Sequence, residues 1–193
     1  AGDDTIVGGD GAGDDKYVGG AGFDTAIFKS ASKPIKIDLK KGEASGPEIG
    51  KDKLKQIEGV IAGRGNDKIK GSKGNDVLDG YTGKDKIYGN HGKDAFVFSA
   101  KISKSNVDSI KDFKPNDDIL HLDHAIFTGL ALGELDASVF QEGKARDADD
   151  RIIYDSSKGT LTFDANGDEK GGAVVFAKLG KHLHITHEDF LVM

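Results

Sequence analysis

A nine-residue repeat spans residues 62–97 and constrains this chain more than any other feature. Its four consecutive units read AGRGNDKIK, GSKGNDVLD, GYTGKDKIY and GNHGKDAFV. An aspartate recurs every nine residues, with a glycine two positions before it and an apolar residue two positions after it. The aspartates are Asp67, Asp76, Asp85 and Asp94, the glycines Gly65, Gly74, Gly83 and Gly92, and the apolar residues Ile69, Leu78, Ile87 and Phe96. A strict period of this kind dictates the architecture, because every unit must adopt the same local structure.

Each unit predicts one turn and one short strand. Its first six residues are rich in glycine and end in aspartate, which suits a turn with positive φ angles. Its last three residues place an apolar side chain in the middle, which suits a very short strand. Two units complete one coil, so residues 18 apart in this sequence should stack, at the strand spacing of about 4.8 Å. Asp67 is then predicted to lie over Asp85, and Asp76 over Asp94.

The stacked carboxylates predict a calcium site between successive coils. Carboxylates at this separation repel each other when nothing lies between them. Calcium takes 6–8 oxygen ligands at about 2.3–2.6 Å, so an ion fits between two stacked aspartates while the turns supply backbone carbonyls. The alternative is a flexible glycine-rich linker, but a linker does not explain an apolar residue that stays in register.

These units resemble the hemolysin-type calcium-binding repeat of RTX (repeats-in-toxin) proteins, a Gly-Gly-x-Gly-x-Asp-x-apolar-x nonapeptide. The resemblance implies a parallel β-roll in which each ion takes carboxylates and backbone carbonyls from units two apart. It implies one ion at Gly63, Gly65, Asp67, Gly80, Thr82 and Asp85, and a second at Ser72, Gly74, Asp76, Gly89, His91 and Asp94. Ser72, Tyr81 and Asn90 stand where the pattern has glycine. These positions offer only a carbonyl, so we expect backbone strain there rather than the loss of a ligand.

Residues 1–28 form a first, less regular repeat block. Its aspartates are Asp4, Asp15 and Asp24, and two extra residues separate the first unit from the second. Asp4 and Asp24 belong to units two apart, which makes them a candidate calcium-binding pair. Asp15 needs a partner either in a preceding unit or in the segment that follows the block.

Residues 29–57 interrupt the repeats. We predict a strand at residues 35–39, where apolar and polar side chains alternate, and an exposed loop over residues 40–52. Glu58 lies nine residues before Asp67 and so occupies the aspartate position of a half-coil. RTX proteins of the secreted metalloprotease type, which the chain resembles, tend to carry a glutamate here. Glu58 is therefore either a ligand of a further ion shared with Asp76 or a solvated surface residue.

The repeats predict two columns of stacked acidic residues. One column holds Glu58, Asp76 and Asp94, and the other holds Asp67 and Asp85. Counting 18 residues on from Asp85 reaches Ser103, outside the repeat, so we expect the second column to end there. Asp76 would then be the one aspartate able to contact two ions.

The pattern changes after Phe96. Several segments between residues 106 and 187 alternate apolar and polar residues, which predicts largely antiparallel strands that cap the open end of the roll. A short helix is expected near residues 135–140. Asp164, Asn166 and Asp168 resemble the start of an EF-hand, but Val175 stands where that loop needs glutamate, so a turn between strands is favoured. The fold class is all-β, with a roll at 1–98, its insertion at 29–57, and a capping region at 99–193.

Composition excludes several classes of function. The formal charge is −6, which disfavours nucleic acid and anionic membranes as partners. Cysteine is absent, which removes disulfides and thiolate metal sites. No apolar run approaches the length of about 20 residues that a membrane helix needs. No zinc-protease, serine-hydrolase or phosphate-loop motif is present, so we expect no enzyme activity from these residues. His182 and His184 are expected on one face of a surface strand.

The predicted function is that of a secreted, extracellular calcium-binding module. The sequence opens inside a repeat, so we expect it to be part of a longer protein, and no N-terminal signal peptide is recognisable. Its end, HEDFLVM, resembles the C-terminal export signal of RTX proteins that leave through a type I exporter. One alternative is a module for an extracellular polysaccharide, with Tyr81, Tyr88, Lys84, Lys86 and Lys93 available for a groove. Another is the non-catalytic C-terminal part of a serralysin-type zinc metalloprotease.

Overall fold

The computed structural model describes residues 1–8, 11–167 and 171–193. Short strands and turns dominate this part of the chain. The strands up to Phe98 are β1 (Thr5–Val7), β2 (Lys16–Val18), β3 (Thr25–Ile27), β4 (Lys36–Asp38), β5 (Glu43–Gly46), β6 (Gly50–Lys55), β7 (Gly59–Ile61), β8 (Lys68–Lys70), β9 (Val77–Asp79), β10 (Lys86–Tyr88) and β11 (Ala95–Phe98).

The second half of the chain also consists mainly of short strands. Its strands are β12 (Asp108–Ile110), β13 (Ile119–Leu122), β14 (Gly133–Glu134), β15 (Phe140–Glu142), β16 (Ile152–Asp155), β17 (Thr160–Asp164), β18 (Ala173–Lys178) and β19 (Phe190–Val192). Two single-turn 3-10 helices lie at Ala137–Val139 and His187–Asp189. The first is the short helix expected near residues 135–140. No described helix is long and apolar enough to cross a membrane.

The strands form two sheets. The eight-stranded sheet has the order β1-β3-β7-β9-β11-β13-β19-β14, and the eleven-stranded sheet has the order β15-β16-β17-β18-β12-β10-β8-β4-β5-β6-β2. Consecutive repeat units alternate between the two sheets. The chain therefore winds as a roll, as the nine-residue period predicts.

The predicted stacking of units two apart is confirmed. In the parallel pair β8 and β10, Lys68 lies beside Lys86 and Ile69 beside Ile87. In the parallel pair β9 and β11, Val77 lies beside Ala95. Each of these partners is 18 residues from the other, so the strand register places every repeat aspartate beside the aspartate two units further on.

The middle residue of each repeat strand faces the core. Val60, Ile69, Leu78, Ile87 and Phe96 are all 0–1 % exposed. Burying a side chain of this size contributes about 1.5–3 kcal/mol. This large apolar residue is therefore the main source of packing energy in each unit.

The insertion at 29–57 is more ordered than the sequence predicts. The strand expected at residues 35–39 is β4. The exposed loop expected at residues 40–52 is wrong, because β5 and β6 run there as an antiparallel extension of β4. Ala44 and Ile49 are buried at 1 % and 3 % exposure. This extension joins the eleven-stranded sheet between β8 and β2.

Both sheets continue past Phe98. β12 pairs in parallel with β10, and β13 pairs in parallel with β11. Antiparallel pairing follows in β16, β17 and β18, so β17 and β18 flank the segment where a turn is expected. Of that segment, Asp168 lies outside the described residues. The strand expected around His182 and His184 is wrong: these residues lie in a turn and an irregular segment, and His182 has a positive φ of 56°.

Candidate calcium sites

The repeat turns bring backbone of successive coils into close contact. A Cβ atom on Gly83 would collide with the carbonyl oxygen of Gly65, and one on Gly92 with that of Gly74. Gly83 and Gly92 also have positive φ angles of 132° and 124°. Glycine is thus required at this position both for its conformation and for its missing side chain. The carbonyl oxygens of one turn consequently face the next turn.

Two of the three predicted sites of backbone strain are confirmed. Tyr81 and Asn90 have φ angles of 62° and 71° in the left-handed region. Ser72 does not have a positive φ; its N–H and its hydroxyl donate instead to the two carboxylate oxygens of Asp76, at 2.5 and 3.0 Å. Neither Tyr81 nor Asn90 has a comparable bond to its own aspartate. Asn90 is held by Asp112, which accepts its N–H at 3.0 Å.

A first column of acidic residues follows the eight-stranded sheet. The N–H of Asp4 donates to Asp24 Oδ1 at 2.9 Å, and that of Asp24 donates to Glu58 Oε2 at 3.0 Å. The backbone stacks Glu58 on Asp76 through the bond from Val77 N–H to the Glu58 carbonyl at 3.0 Å. The column continues from Asp76 to Asp94 and from Asp94 to Asp118, each by an N–H to Oδ1 bond of 3.0 Å.

A second column follows the eleven-stranded sheet. The N–H of Asp67 donates to Asp85 Oδ1 at 2.7 Å. The prediction that this column ends at Asp85 is wrong, because Asp85 N–H donates to Asp108 Oδ1 at 3.0 Å. Asp108 is reached after 23 residues instead of 18. Asp85 therefore lies between two carboxylates, and Asp76 is not alone in doing so.

Asp15 also has an acidic partner. Its N–H donates to Asp52 Oδ1 at 2.9 Å, across the parallel pair of β2 and β6. Of the two possibilities left open by the sequence, the partner lies in the segment that follows the first block. The geometry of this pair repeats that of Asp67 and Asp85.

Side chains one position before the aspartates form a second ladder. Asn66 Oδ1 accepts the N–H of Lys84, and Asn75 Oδ1 accepts that of Lys93, both at 2.8 Å. In the first block, Asp3 Oδ1 accepts the N–H of Phe23 at 2.8 Å. These bonds run from the later turn back to the earlier one, opposite to those of the aspartate columns. Together the two ladders clamp each turn from both sides.

The columns hold buried negative charge without cationic partners. Asp24, Asp67, Asp76, Asp85 and Asp94 are at most 2 % exposed. The ion pairs found between described residues involve Glu43, Asp38 and Asp155, and none of them reaches a column. Burying an unpaired carboxylate costs several kcal/mol. The fold therefore leaves a large unfavourable electrostatic free energy in its turns for a bound cation to offset.

The pKa values of these carboxyl groups are raised by their burial and by the neighbouring negative charges. Burial raises the pKa of Asp94 to about 7, and the negative charges of Asp118 and Asp76 add to the effect. Burial also raises the pKa of Asp85, and the negative charge of Asp108 adds to this effect. The pKa of Asp108 is raised by burial as well, with the negative charges of Asp79 and Asp67 adding to it. The pKa values of Asp67, Asp76 and Asp118 are likewise raised, chiefly by burial. Each shift opposes the ionised form that a metal site requires.

Several carboxylate oxygens lack any hydrogen-bond partner among the described residues. They are Oδ2 of Asp24, Asp52 and Asp85. Buried acceptors are rarely left unpaired in folded proteins, so an orphaned oxygen in each of the two columns and in the Asp15–Asp52 pair needs an explanation. A hard cation that prefers oxygen ligands supplies it, since the neighbouring groups are carboxylates and turn carbonyls. The donor set therefore fits calcium.

The sites do not consist of side chains alone. Within the described part of the chain, no three or more histidine, aspartate or glutamate side chains converge as a metal site. The arrangement is instead one carboxylate from each of two stacked turns, with carbonyl oxygens between them. The stacked side chains are carboxylates, which suit hard cations better than metals that prefer imidazole or thiolate.

The repeat model of a known family matches these same turns. A model of the RTX calcium-binding nonapeptide repeat matches residues 1–26 and 61–96 in four copies. The chain carries RTX calcium-binding repeats. RTX nonapeptides are calcium-binding motifs, which agrees with the hard-oxygen donor set described above. A comparison with curated proteins gives no match.

The RTX repeats do not account for every acidic residue in the columns. Asp52, Asp108 and Asp118 lie outside the matched residues, and sequence analysis did not identify them as partners of the repeat aspartates. Each is followed two positions later by a buried apolar residue: Leu54, Ile110 and Leu120. For Asp108 and Asp118 the signal that remains is Asp-x-apolar without the glycine, whereas Asp52 keeps Gly50 two positions before it. Such a short pattern becomes informative once a neighbouring repeat supplies the column.

Proposed function

We propose that the chain is a calcium-binding RTX module of a secreted protein, and that its roll becomes compact on calcium outside the cell. The observation that carries the proposal is the pair of columns of buried, unpaired carboxylates. Without a cation these columns destabilise the folded state. A bound calcium ion supplies positive charge and accepts oxygen ligands from two adjacent turns.

The repeat aspartates and turn carbonyls are the proposed ligands. Asp67 and Asp85 would share one ion with the carbonyls of Gly63, Gly65, Gly80 and Thr82. Asp76 and Asp94 would share a second with the carbonyls of Ser72, Gly74, Gly89 and His91. Asp4 with Asp24, and Glu58 with Asp76, are the further proposed pairs. The stacking of Asp108 on Asp85 and of Asp118 on Asp94 supports two additional half-sites at the ends of the columns.

The calcium concentration would decide when the roll folds. Extracellular sites of this chemistry bind calcium at about 10⁻⁴–10⁻³ M, far above cytosolic calcium. At a tenfold excess over the dissociation constant, each ion stabilises the folded state by about 1.4 kcal/mol. The module would therefore stay loose during export and become compact outside the cell, where the carboxylates meet millimolar calcium.

Circular dichroism and calorimetry on the whole chain test this proposal. Adding millimolar calcium to chelator-treated protein should increase the β signal and release heat at several sites per chain. Magnesium at the same concentration is the control, because it demands a smaller octahedral shell of ligands. An unchanged β signal together with no calcium binding would contradict the proposal.

The last residues are proposed to carry the signal for a type I exporter. Phe190 and Val192 are buried at 0 % and 2 % exposure, and β19 pairs with β13. The segment is therefore also part of the fold. Both roles are compatible, because a chain that has not yet bound calcium during export would leave the segment accessible.

Export should be tested with a control for destabilisation. Deleting Phe190–Met193 should block secretion in cells that carry a type I exporter. Leu135→Ala is the matched control: Leu135 is 3 % exposed and its N–H donates to the Phe190 carbonyl, so it loosens the same packing without changing the last residues. Equal secretion of both variants would show that the signal lies elsewhere.

A second candidate function, binding of an acidic polysaccharide, is favoured by a row of lysines. Lys36, Lys68 and Lys86 are register partners on adjacent strands of the eleven-stranded sheet, and Ser109 connects them to Lys178. All four lysines are exposed, and none takes part in an ion pair between described residues. Like charges repeated at the strand spacing of about 4.8 Å repel each other.

The equivalent row on the eight-stranded sheet has no lysine. Its register partners are Thr5, Thr25, Gly59, Val77, Ala95 and Ile119. The cationic row is therefore confined to one face of the roll. An extended polymer with a carboxylate on successive sugars would match this row if it lay across the strands.

Two double variants with the same charge change separate a site from general attraction. Lys68→Gln with Lys86→Gln should weaken binding of polyuronate by about thirtyfold, since each lysine within about 4 Å of a charge contributes near 1 kcal/mol in water. Lys73→Gln with Lys144→Gln, at exposed positions outside this row, should change it little. Equal losses of polyuronate affinity in the two double variants would contradict this candidate function. So would the absence of polyuronate binding by the unaltered chain in the presence of calcium.

A further inference from the structure

The segment 47–55 has the form of a repeat unit that the family model does not match. It reads PEIGKDKLK, with Gly50 two positions before Asp52 and Leu54 two positions after it. Gly50 has a positive φ of 67°, Asp52 is 2 % exposed, and Leu54 is 6 % exposed. These are the roles of the glycine, aspartate and apolar residue of the regular units. The insertion therefore ends in a degenerate repeat.

The contacts of this unit with the first block reproduce those between regular units. Asp15 N–H donates to Asp52 Oδ1 at 2.9 Å, as Asp67 N–H donates to Asp85 Oδ1 at 2.7 Å. Lys53 N–H donates to the Asp15 carbonyl at 2.8 Å, as Lys86 N–H donates to that of Asp67 at 2.9 Å.

The ladder one position before the aspartates is reproduced as well. Lys51 N–H donates to Asp14 Oδ1 at 2.9 Å, as Lys84 N–H donates to Asn66 Oδ1 at 2.8 Å. All three contacts that define a stacked pair are thus present. Asp15 and Asp52 consequently lie in the same relation as a pair of repeat aspartates.

Two independent observations point to a ligand between these turns. Asp52 Oδ2 has no hydrogen-bond partner among the described residues, although the side chain is buried and its Oδ1 already contacts the turn of Asp15. A Cβ atom on Gly50 would lie 2.7 Å from the carbonyl oxygen of Ala12 and would collide with that of Gly13. Turn carbonyls thus lie against Gly50, two residues before the aspartate with the orphaned oxygen, and no ion pair between described residues reaches Asp52.

We propose that Asp15 and Asp52 hold a calcium ion that clamps the insertion to the first repeat block. The carbonyls of the turn at residues 11–13 and of the turn at residues 47–50 complete its oxygen shell. This inference rests on the proposed function, that stacked repeat aspartates bind calcium. It adds a site of which one half is supplied by residues outside the recognised repeats.

The position of β2 explains why such a clamp is needed. Within the described residues, β2 pairs with β6 alone and forms the edge of the eleven-stranded sheet. Its middle residue Tyr17 packs edge-on against Phe28 but is only partly buried, and Val18 is 45 % exposed, so apolar packing holds this strand less firmly than the central repeat strands. The bound ion links the turn before β2 to the turn before β6. The first block is thereby attached to the insertion.

Terbium, which replaces calcium and is excited by nearby tyrosine, tests the site. The chain has no tryptophan and four tyrosines, and Tyr17 Oη lies 3.4 Å from Asp15 Oδ2. Tyr17→Phe should remove one component of the terbium emission without changing the number of bound ions. Asp52→Asn should remove both that component and one calcium ion. Asp38→Asn, in the same insertion but outside the site, should remove neither.

The outcomes separate this inference from the proposed function. If Asp52→Asn keeps the calcium stoichiometry and the Tyr17-dependent emission, the site does not exist, although the regular repeats still bind. If the unaltered chain binds no calcium at all, the proposed function fails first. If Asp52→Asn does not fold, Asp15→Asn replaces it, because Asp15 is exposed and carries the other carboxylate of the site. This variant should also lose one calcium ion and the Tyr17-dependent emission.

Discussion

The two repeat blocks share one motif but differ in the environment of their carboxylates. In the central block, Asp67, Asp76, Asp85 and Asp94 are at most 2 % exposed. In the first block, Asp4 and Asp15 are exposed, and so is Val7 at 71 %. The reason is position in the sheet: β1 and β2 are edge strands, whereas β8, β9, β10 and β11 each lie between two neighbours.

The motif therefore supplies the ligands, whereas the neighbouring coils determine how much free energy the folded state loses when no cation is bound. An exposed carboxylate without calcium is solvated and costs little. A buried one, stacked between two others, loses its water and gains repulsion. The central block should therefore depend on calcium for its folding, and the first block should depend on it for its attachment.

Removing calcium should produce the largest effect, and it should be concentrated in the central block. We expect the backbone amides of Lys86 and Ala95, which bond to the carbonyls of Asp67 and Asp76, to exchange with solvent at least tenfold faster in chelator. The physical reason is that each ion contributes about 1.4 kcal/mol at tenfold excess, which is a factor of ten. Hydrogen exchange by mass spectrometry measures this.

The antiparallel strands β16–β18 are the internal control for that measurement. Their core residues Tyr154, Leu161 and Ala177 are 0 % exposed, and the pairing of β16 with β17 and of β17 with β18 involves no residue of the columns. These strands should keep most of their protection in chelator. Uniform loss of protection along the whole chain would contradict a calcium dependence that is centred on residues 62–97.

Substitutions within one column should differ according to the number of carboxylate neighbours. Asp85 stacks on both Asp67 and Asp108, so Asp85→Ala should abolish two calcium ions per chain. Asp67 has Asp85 on one side and the N–H of Ile35 on the other, so Asp67→Ala should abolish one. Titration calorimetry gives both stoichiometries under the same conditions.

Equal losses in these two variants would mean that Asp108 does not act as a ligand. Asp38→Ala serves as the control for a general effect of charge, since Asp38 is paired to Lys70 on the surface and lies in neither column. Its calcium stoichiometry should equal that of the unaltered chain. A reduced value would indicate that overall charge, and not stacking, governs binding.

The pH dependence of stability should reverse when calcium is added. Without calcium, the raised pKa of Asp94, about 7 against 3.8 for an ordinary aspartate, favours its protonated form in the folded state. Its contribution to stability is then fully present below about pH 4 and is lost as the pH rises through 7. The calcium-free chain should therefore melt at a higher temperature at pH 5 than at pH 8.

Calcium requires the ionised form, so the loaded chain should show the opposite trend. Protons compete with the ion, and the melting temperature in millimolar calcium should rise between pH 5 and pH 8. Thermal denaturation with and without chelator across this range tests the pair of trends. Parallel curves that differ by a constant offset would show that the buried carboxylates do not bind the ion.

The regular part of this molecule could be predicted from its sequence because a fixed period determines the register. Nine residues per unit place Ile69 beside Ile87 and Asp76 beside Asp94 without any knowledge of the rest of the chain. Tyr81 and Asn90 could be identified as strained from the same alignment of units. Each prediction needed only local turn chemistry and the strand spacing.

The parts that could not be predicted are those where the connection length changes. Asp108 follows Asp85 by 23 residues and Asp118 follows Asp94 by 24, so counting by 18 misses both. Residues 40–52 are polar and rich in turn formers, which predicts a loop. They pair as strands because β4 and β6 offer edges on both sides, a tertiary effect that outweighs local propensity.

The smallest predicted effect concerns the ladder that both blocks share. Asn75 accepts the N–H of Lys93, and Asp3 accepts that of Phe23, each at 2.8 Å and in exposed turns. Removing a solvent-accessible hydrogen bond of this kind costs about 0.5–1.5 kcal/mol, or a few degrees in melting temperature for a chain of this size. Asn75→Ala and Asp3→Ala should therefore lower the melting temperature by similar small amounts in saturating calcium. If Asn75→Ala proved several-fold more costly, the blocks would differ in their turns as well as in their carboxylates, and burial of the columns would not by itself explain the contrast.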